Sequence, residues 1–325
     1  MAILKRFRNL KTEDNTGFGV NSNNAGGRFY NRTAGAANVS KQGINILSRF
    51  SWYHTLLGMK MSKFLLLIFL IYIFINIAFA GIYYLIGIEH LAGIEKTHNW
   101  KEFSEVFFFS TQTFTTVGYG RISPVGFLTS AVATFEAFLG LLSFAIATGL
   151  FYGRFSRPRA FLKFSTHAVI APFKNSTALM LRMAPYKNNN LSEAEAKVTL
   201  AMQIEEDNKM VNKFYNLDLQ IDKINALALS WTLVHPIDEK SPFYGFTQSD
   251  VMNTKMEIMV FVKAFDEVFS NTVVTRWSYT NPEIIWGAKF KQMFRPNDNN
   301  TKTILDLELL SETENVQLPN PVIVN

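Results

Sequence analysis

With 325 residues the chain has room for about two or three domains, and its hydrophobic fraction of 48% is ordinary for a water-soluble protein until its distribution is read. The formal charge of +6 is modest, and the basic residues gather beside apolar segments instead of forming a stripe, which points them to anionic lipid headgroups and away from nucleic acid. The absence of cysteine excludes disulfides and thiol-metal sites, and the five histidines are scattered with no metal-ligand spacing, so no cofactor is expected.

Residues 1–43 are rich in Asn, Gly and Arg, as in Asn21-Ser22-Asn23-Asn24-Ala25-Gly26-Gly27. Such a composition buries too little surface to fold alone, so this N-terminal segment is a tail or an arm that borrows order from another domain. Over 44–59 apolar residues alternate irregularly with polar ones. Trp52 and Tyr53 suit a membrane interface, and Arg49, Lys60 and Lys63 suit its phosphates. The pattern predicts a short amphipathic helix on the cytoplasmic surface; the plainer alternative is a solvated lead-in. From Phe64 to Ile86 the chain is almost wholly apolar, enough for one helix to cross a bilayer. It starts too late for a secretory signal and is expected to stay in the mature chain. Asn76, its only strongly polar residue, is either tolerated facing lipid or hydrogen-bonded to a neighbouring helix.

Residues 101–114 make about 20 Å of helix, too short for a hydrocarbon core of about 30 Å. The segment must enter and stop, which is allowed only where protein or water meets the irregular backbone beyond it. A re-entrant helix satisfies that constraint, with the negative end of its dipole aimed along an ion path. Next comes Thr115-Thr116-Val117-Gly118-Tyr119-Gly120. In a water-soluble protein Val-Gly-Tyr-Gly would be an ordinary turn. Here, between two apolar segments and after an aromatic helix, it resembles the selectivity filter of potassium channels, where carbonyls from four chains replace the water around K⁺. Gly118 and Gly120 allow the backbone geometry this needs, and the Thr116 hydroxyl adds one more oxygen ring.

A second span is expected over 127–153, rich in small residues: Ala131, Ala133, Ala137, Gly140, Ser143, Ala145, Ala147 and Gly149. These let helices approach closely, and Gly140 serves either as a bending point or simply for close packing. Glu136, the acidic residue within this span, should face protein or water and not lipid. Lys60 and Lys63 precede the first span, and Arg154, Arg157, Arg159 and Lys163 follow the second. The intervening loop sets Lys96, Lys101 and Arg121 among glutamates, so both termini are expected in the cytoplasm. After Pro158 short strand-like runs take over, at 167–173, 178–183, 196–202, 227–234, 256–262 and 272–277, separated by turn-rich stretches. That spacing predicts a β-sandwich over 158–325, with a frayed tail at its last few residues.

Taken together these segments resemble the inward rectifier potassium channel family, specifically its prokaryotic branch. Phe107-Phe108-Phe109-Ser110 leads into the filter, and Ala147-Thr148-Gly149-Leu150 leads to Arg154-Phe155-Ser156-Arg157-Pro158-Arg159-Ala160. Further on come Trp231-Thr232-Leu233-Val234-His235-Pro236-Ile237-Asp238-Glu239 and Ile285-Trp286-Gly287. The resemblance implies a homotetramer, multi-pass in a bacterial inner membrane. Its pore domain (60–157) would have two spans and a re-entrant pore helix, and it would carry an all-β immunoglobulin-like cytoplasmic sandwich. It implies passive K⁺ conduction with K⁺ held at Thr116, Val117, Gly118, Tyr119 and Gly120, a gate where inner helices converge, and regulation by anionic lipids or phosphoinositides.

The resemblance also assigns roles and exposes departures. Gln112 stands where the pore helix commonly has a glutamate that braces the filter, and Arg121 where the prokaryotic branch often has an aspartate, so filter support by Gln112, Arg121 and Glu136 must be rearranged. Phe144 matches the position where strong rectifiers place an acid that attracts Mg²⁺ and polyamines, which implies weak block unless Glu136 or cytoplasmic acids compensate. Tyr152 matches a bulky residue that narrows the inner-helix crossing; alternatively it anchors at the interface. Lys60, Lys63, Arg154, Arg157, Arg159 and Lys163 either set topology alone or also form a lipid headgroup site. A different reading is a membrane-anchored sensor or binding protein with a poorly conducting pore.

Overall fold

Backbone surrounded by hydrocarbon can satisfy its amides only within itself, so long apolar runs fold as helices. The computed structural model describes residues 12, 17–18, 28–32, 37–43, 45, 51–95, 99–187, 190–206 and 209–319. The chain divides into two compact units, Gln42–Arg157 and Met1–Lys41 with Pro158–Asn325.

Among its described residues the first unit holds four α-helices: α1 (Trp52–Gly58), α2 (Met61–Ile86), α3 (Asn99–Phe114) and α4 (Phe127–Phe155). Of these, α2 and α4 are long and apolar enough to cross a membrane. Ser51 caps α1, its Oγ accepting from the His54 amide at 3.4 Å. Most of the expected helix before Ser51, residues 44 and 46–50, lies outside the described residues. The other helices run slightly past their expected limits. In α2 the extra turn begins at Met61, because Ser62 and Lys63 carry no helix-breaking feature and Lys60 can occupy the N-cap. In α4 the extension reaches Phe155, where Ser156 closes the helix. Phe79, Ala80, Tyr83, Val106, Phe109 and Ala133 form the buried contact among α2, α3 and α4, with the Tyr83 and Phe109 rings edge to face at 5.2 Å. A short antiparallel pair, β1 (Leu91–Ala92) with β2 (Ser123–Pro124), ties the segment after α2 to the segment before α4.

The second unit is a sandwich of two five-stranded sheets. One orders β11 (Asn271–Thr280), β10 (Met256–Asp266), β6 (Leu191–Glu206) and β7 (Lys209–Leu217), with β8 (Lys223–Ala226) also on β6. The other orders β12 (Ile284–Trp286), β4 (Ala168–Phe173), β5 (Ser176–Pro185) and β3 (Leu162–Phe164), with β9 (Trp231–Ile237) also on β5. Leu179, Leu181, Val198, Leu200, Ile258 and Val260 fill the space between them. The all-β expectation after Pro158 is met. The run at 227–234 is corrected: its strand begins only at Trp231, since Leu227 through Ser230 turn before it. β7 and β8 escaped the strand reading because Lys209, Asn212, Lys213 and Asn216 interrupt the apolar residues of the first, and Lys223 and Asn225 make up half of the second. Residues 320–325, most of the expected frayed tail, lie outside the described residues.

The described part of the N-terminal arm up to Lys41 belongs to this unit. Arg28 and Arg32 both meet Glu283, at 2.6 and 2.8 Å, and the Phe29 amide donates to the buried Glu257 carboxylate. Burial pushes the Glu257 carboxyl upward, while donation from the Phe29 amide pulls the other way.

Candidate functional site

The site begins where α3 stops. In a regular helix the Gln112 carbonyl would accept from residue 116, but here it accepts from the amides of Val117 (3.0 Å) and Gly118 (3.3 Å), while the Thr116 amide goes to Thr113 (3.0 Å). The stretch 116–120 is thus hung from the last turn of the helix. Its φ angles alternate in sign: Thr116 at 59°, Gly118 at 51° and Gly120 at 82°, with Val117 and Tyr119 outside the positive region. In an extended strand successive carbonyls face opposite sides; a left-handed residue at every second position swings them toward one side. The two glycines adopt this freely, whereas Thr116, β-branched, does so under strain that the surrounding contacts must hold. Val117 and Tyr119 are exposed in the single chain.

Beyond the filter, Arg121 Nη2 pairs with Glu105 of α3 at 2.9 Å, and Glu105 also accepts from the Glu95 amide at 3.1 Å. A side chain at Gly93, φ 91°, would collide with the Arg121 carbonyl, so the loop after α2 presses directly on the backbone that follows Gly120. The side-chain amide of Gln112 has no hydrogen bond among the described residues; its main-chain carbonyl makes the filter contact instead. Glu136 is fully buried between helices: Tyr83 on α2 donates to its Oε2 at 2.6 Å, and Ser110 on α3 bonds its Oε1. Asn76 meets the same Ser110 hydroxyl, at 3.0 Å through Oδ1, so it bonds a neighbouring helix and does not face lipid. Glu105, Ser110 and Tyr83 were not singled out by the sequence; the only signals were polar residues at helical positions among aromatics.

Along α4, Gly140 lies against the Phe114 carbonyl so closely that a β-carbon would overlap it, and the helix continues through this point. Phe144 and Tyr152 are both exposed. An apolar groove of about 660 Å³ beside the filter is lined by Ile71, Tyr72, Phe114, Gly140, Leu141 and Phe144. Of the basic residues, Lys60, Lys63 and Arg157 are exposed. Arg154 is not free: its guanidinium donates to the carbonyls of Leu56 and Met59 at the end of α1 and lies 4.5 Å over the Phe64 ring. Arg159 and Lys163, also exposed, belong to the sandwich unit. There His235 bonds the Asp218 carbonyl (2.7 Å) and the Ser241 hydroxyl (2.8 Å), a structural clamp.

Two family models match the chain: the inward rectifier potassium channel C-terminal domain over residues 162–324, and ion channel over residues 67–157. The inward rectifier potassium channel Kirbac3.1 of Paramagnetospirillum magnetotacticum is 34% identical over 265 residues, 80% of this chain and 87% of that protein. The G protein-activated inward rectifier potassium channel 2 of Homo sapiens is 27% identical over 296 residues, 83% of this chain and 68% of that one. The inward rectifier potassium channel irk-1 of Caenorhabditis elegans is 26% identical over 224 residues, 66% and 41% of the respective chains. Similarity of this extent, reaching across both the helical unit and the sandwich, means that the chain belongs to the inward rectifier potassium channel family.

Proposed function

We propose that four copies assemble about one axis and conduct K⁺ passively, the carbonyls of residues 116–120 and the Thr116 hydroxyl taking the place of the ion's hydration shell. The alternation of positive φ at Thr116, Gly118 and Gly120 carries this reading. The exposed apolar groove beside the filter supports a neighbouring copy as its cover. Gating is assigned to the inner-helix crossing, with four Tyr152 rings narrowing the path. Rectification is weak, since Phe144 offers an aromatic ring and Glu136, enclosed by Tyr83 and Ser110, presents no charge to the pore.

Anionic lipid, phosphoinositides included, acts through Lys60, Lys63 and Arg157; Arg159 and Lys163 carry the same reading in their own unit. Arg154 acts indirectly, by holding the end of α1. The protein sits in a bacterial inner membrane with both termini cytoplasmic. K⁺-dependent flux into liposomes, blocked by Ba²⁺, tests the assignment: purified protein that gives no such flux, or that is monomeric in lipid, overturns it.

A further inference from the structure

Glu136 has no cation within ion-pair distance among the described residues, although it is fully buried midway along a membrane-spanning helix. An ionised carboxylate there is costly, and the hydrogen bonds around it offer a different solution. The Ser110 hydroxyl has a single proton, yet three oxygens surround it: the Asn76 carbonyl at 3.2 Å, Asn76 Oδ1 at 3.0 Å and Glu136 Oε1. Asn76 Nδ2 donates to the Tyr72 carbonyl at 2.7 Å, which fixes Oδ1 as the end facing Ser110. An ionised Glu136 would also only accept, and one serine proton cannot serve it and Asn76 Oδ1 together; both contacts are met when Ser110 donates to Oδ1 and the carboxyl group is protonated. The short Glu136 contact is then a hydrogen bond only when the carboxyl group supplies the proton, while its other oxygen accepts from Tyr83.

The same cluster reaches the filter. Ser110 lies two residues before Gln112, whose carbonyl holds the Val117 and Gly118 amides, and one turn beyond Glu136 the Phe114 carbonyl rests on Gly140. The inner helix therefore touches the last turns of α3 at two levels. We propose that Glu136, as a neutral acid donating to Ser110 and accepting from Tyr83, is a positioning residue for ion selection that locks the end of α3 and so fixes the spacing of the filter carbonyls. This rests on the K⁺-channel reading above.

The test uses the full-length channel in phosphatidylethanolamine–phosphatidylglycerol liposomes, with reversal potentials in mixed K⁺ and Na⁺ giving the permeability ratio. In Glu136→Gln the amide oxygen still accepts from Tyr83 and the amide NH₂ still donates to Ser110, so the ratio should stay near that of the parent. Glu136→Leu and Ser110→Ala should each lower it about tenfold, and Tyr83→Phe by about threefold. A packing role alone would reduce the yield of tetramer or the size of the flux and leave the reversal potential unmoved. Assembled Ser110→Ala or Glu136→Leu channels with the parent's ratio would overturn the proposal, as would Glu136→Gln falling as far as Glu136→Leu. Should Glu136→Leu fail to assemble, Ser110→Ala and Tyr83→Phe decide on the same terms. A parent that does not discriminate K⁺ from Na⁺ would remove the channel reading and this one together; a selective parent with equally selective variants removes this one alone.

Discussion

Both units enclose apolar side chains, but they differ in what they turn outward. In the helical unit Leu66, Phe69, Phe74 and Phe127 face outward while Asn76, Ser110, Thr129 and Glu136 are enclosed; in the sandwich Leu179, Leu200, Ile258 and Val260 are enclosed. Water sorts residues by polarity only where water is the solvent, so the outward apolar face marks a unit built for lipid and for further copies of itself. The sandwich still buries charge, by another device. Arg182 donates to the carbonyls of Lys291 (2.6 Å), Leu310 (2.7 Å) and Leu309 and lies 4.6 Å over the Phe290 ring. Burial brings its pKa down to about 10. Main chain satisfies the buried cation there, whereas side chains satisfy the buried acid among the helices.

The largest effect should come where the helical unit departs from both patterns, at the filter. Gly118→Ala puts a β-carbon at φ 51° in every subunit, about 1–2 kcal/mol of strain in each, and should abolish K⁺-selective flux in liposomes. Preserved flux would mean that the left-handed backbone is dispensable. Next, Arg182→Met leaves three carbonyls without their donor and should cost about 3 kcal/mol, seen as a lowered melting temperature of the purified full-length protein. An unchanged melting point would show that the sandwich does not depend on its buried cation. At the membrane surface, Lys60→Gln and Lys63→Gln should each weaken attraction to anionic lipid by about 1 kcal/mol, raising the phosphatidylglycerol fraction needed for half-maximal flux.

The smallest effect concerns His235, whose imidazole burial holds below its ordinary 6.5 although the Asp218 carbonyl and the Asp218 and Asp238 charges pull upward. As pH falls through 6.5 the unfolded chain takes up the proton first. The stabilisation from neutral His235 is thus complete above that pH and declines below it. Melting temperatures of His235→Gln and the parent should converge on acidification, and parallel pH profiles would refute the assignment.

Much of this was legible in the sequence because it is local. Apolar run length gave the two candidate spans, while the shortness of 101–114 and the Thr-Val-Gly-Tyr-Gly motif carry the proposed re-entry and filter. The pairings were not legible. Glu105 with Arg121, Ser110 with Glu136, and Arg28 and Arg32 with Glu283 join residues whose approach is decided by helix packing and sheet order, about which periodicity is silent. Gln112 illustrates the boundary: its side chain drew notice as a departure from the family, while its carbonyl makes the contact.

That carbonyl has a consequence for how this filter can be interrogated. The Gln112 oxygen accepts from the amides of Val117 and Gly118 at 3.0 and 3.3 Å, and the Thr115 hydroxyl reaches it only at 3.5 Å, so the two shorter struts of this joint are main-chain groups. Scanning the twenty amino acids across it leaves both donors and the acceptor in place, proline apart. Only a change to the peptide bond itself, such as an ester oxygen in place of the amide nitrogen at 117 or 118, removes one strut while every side chain stays the same.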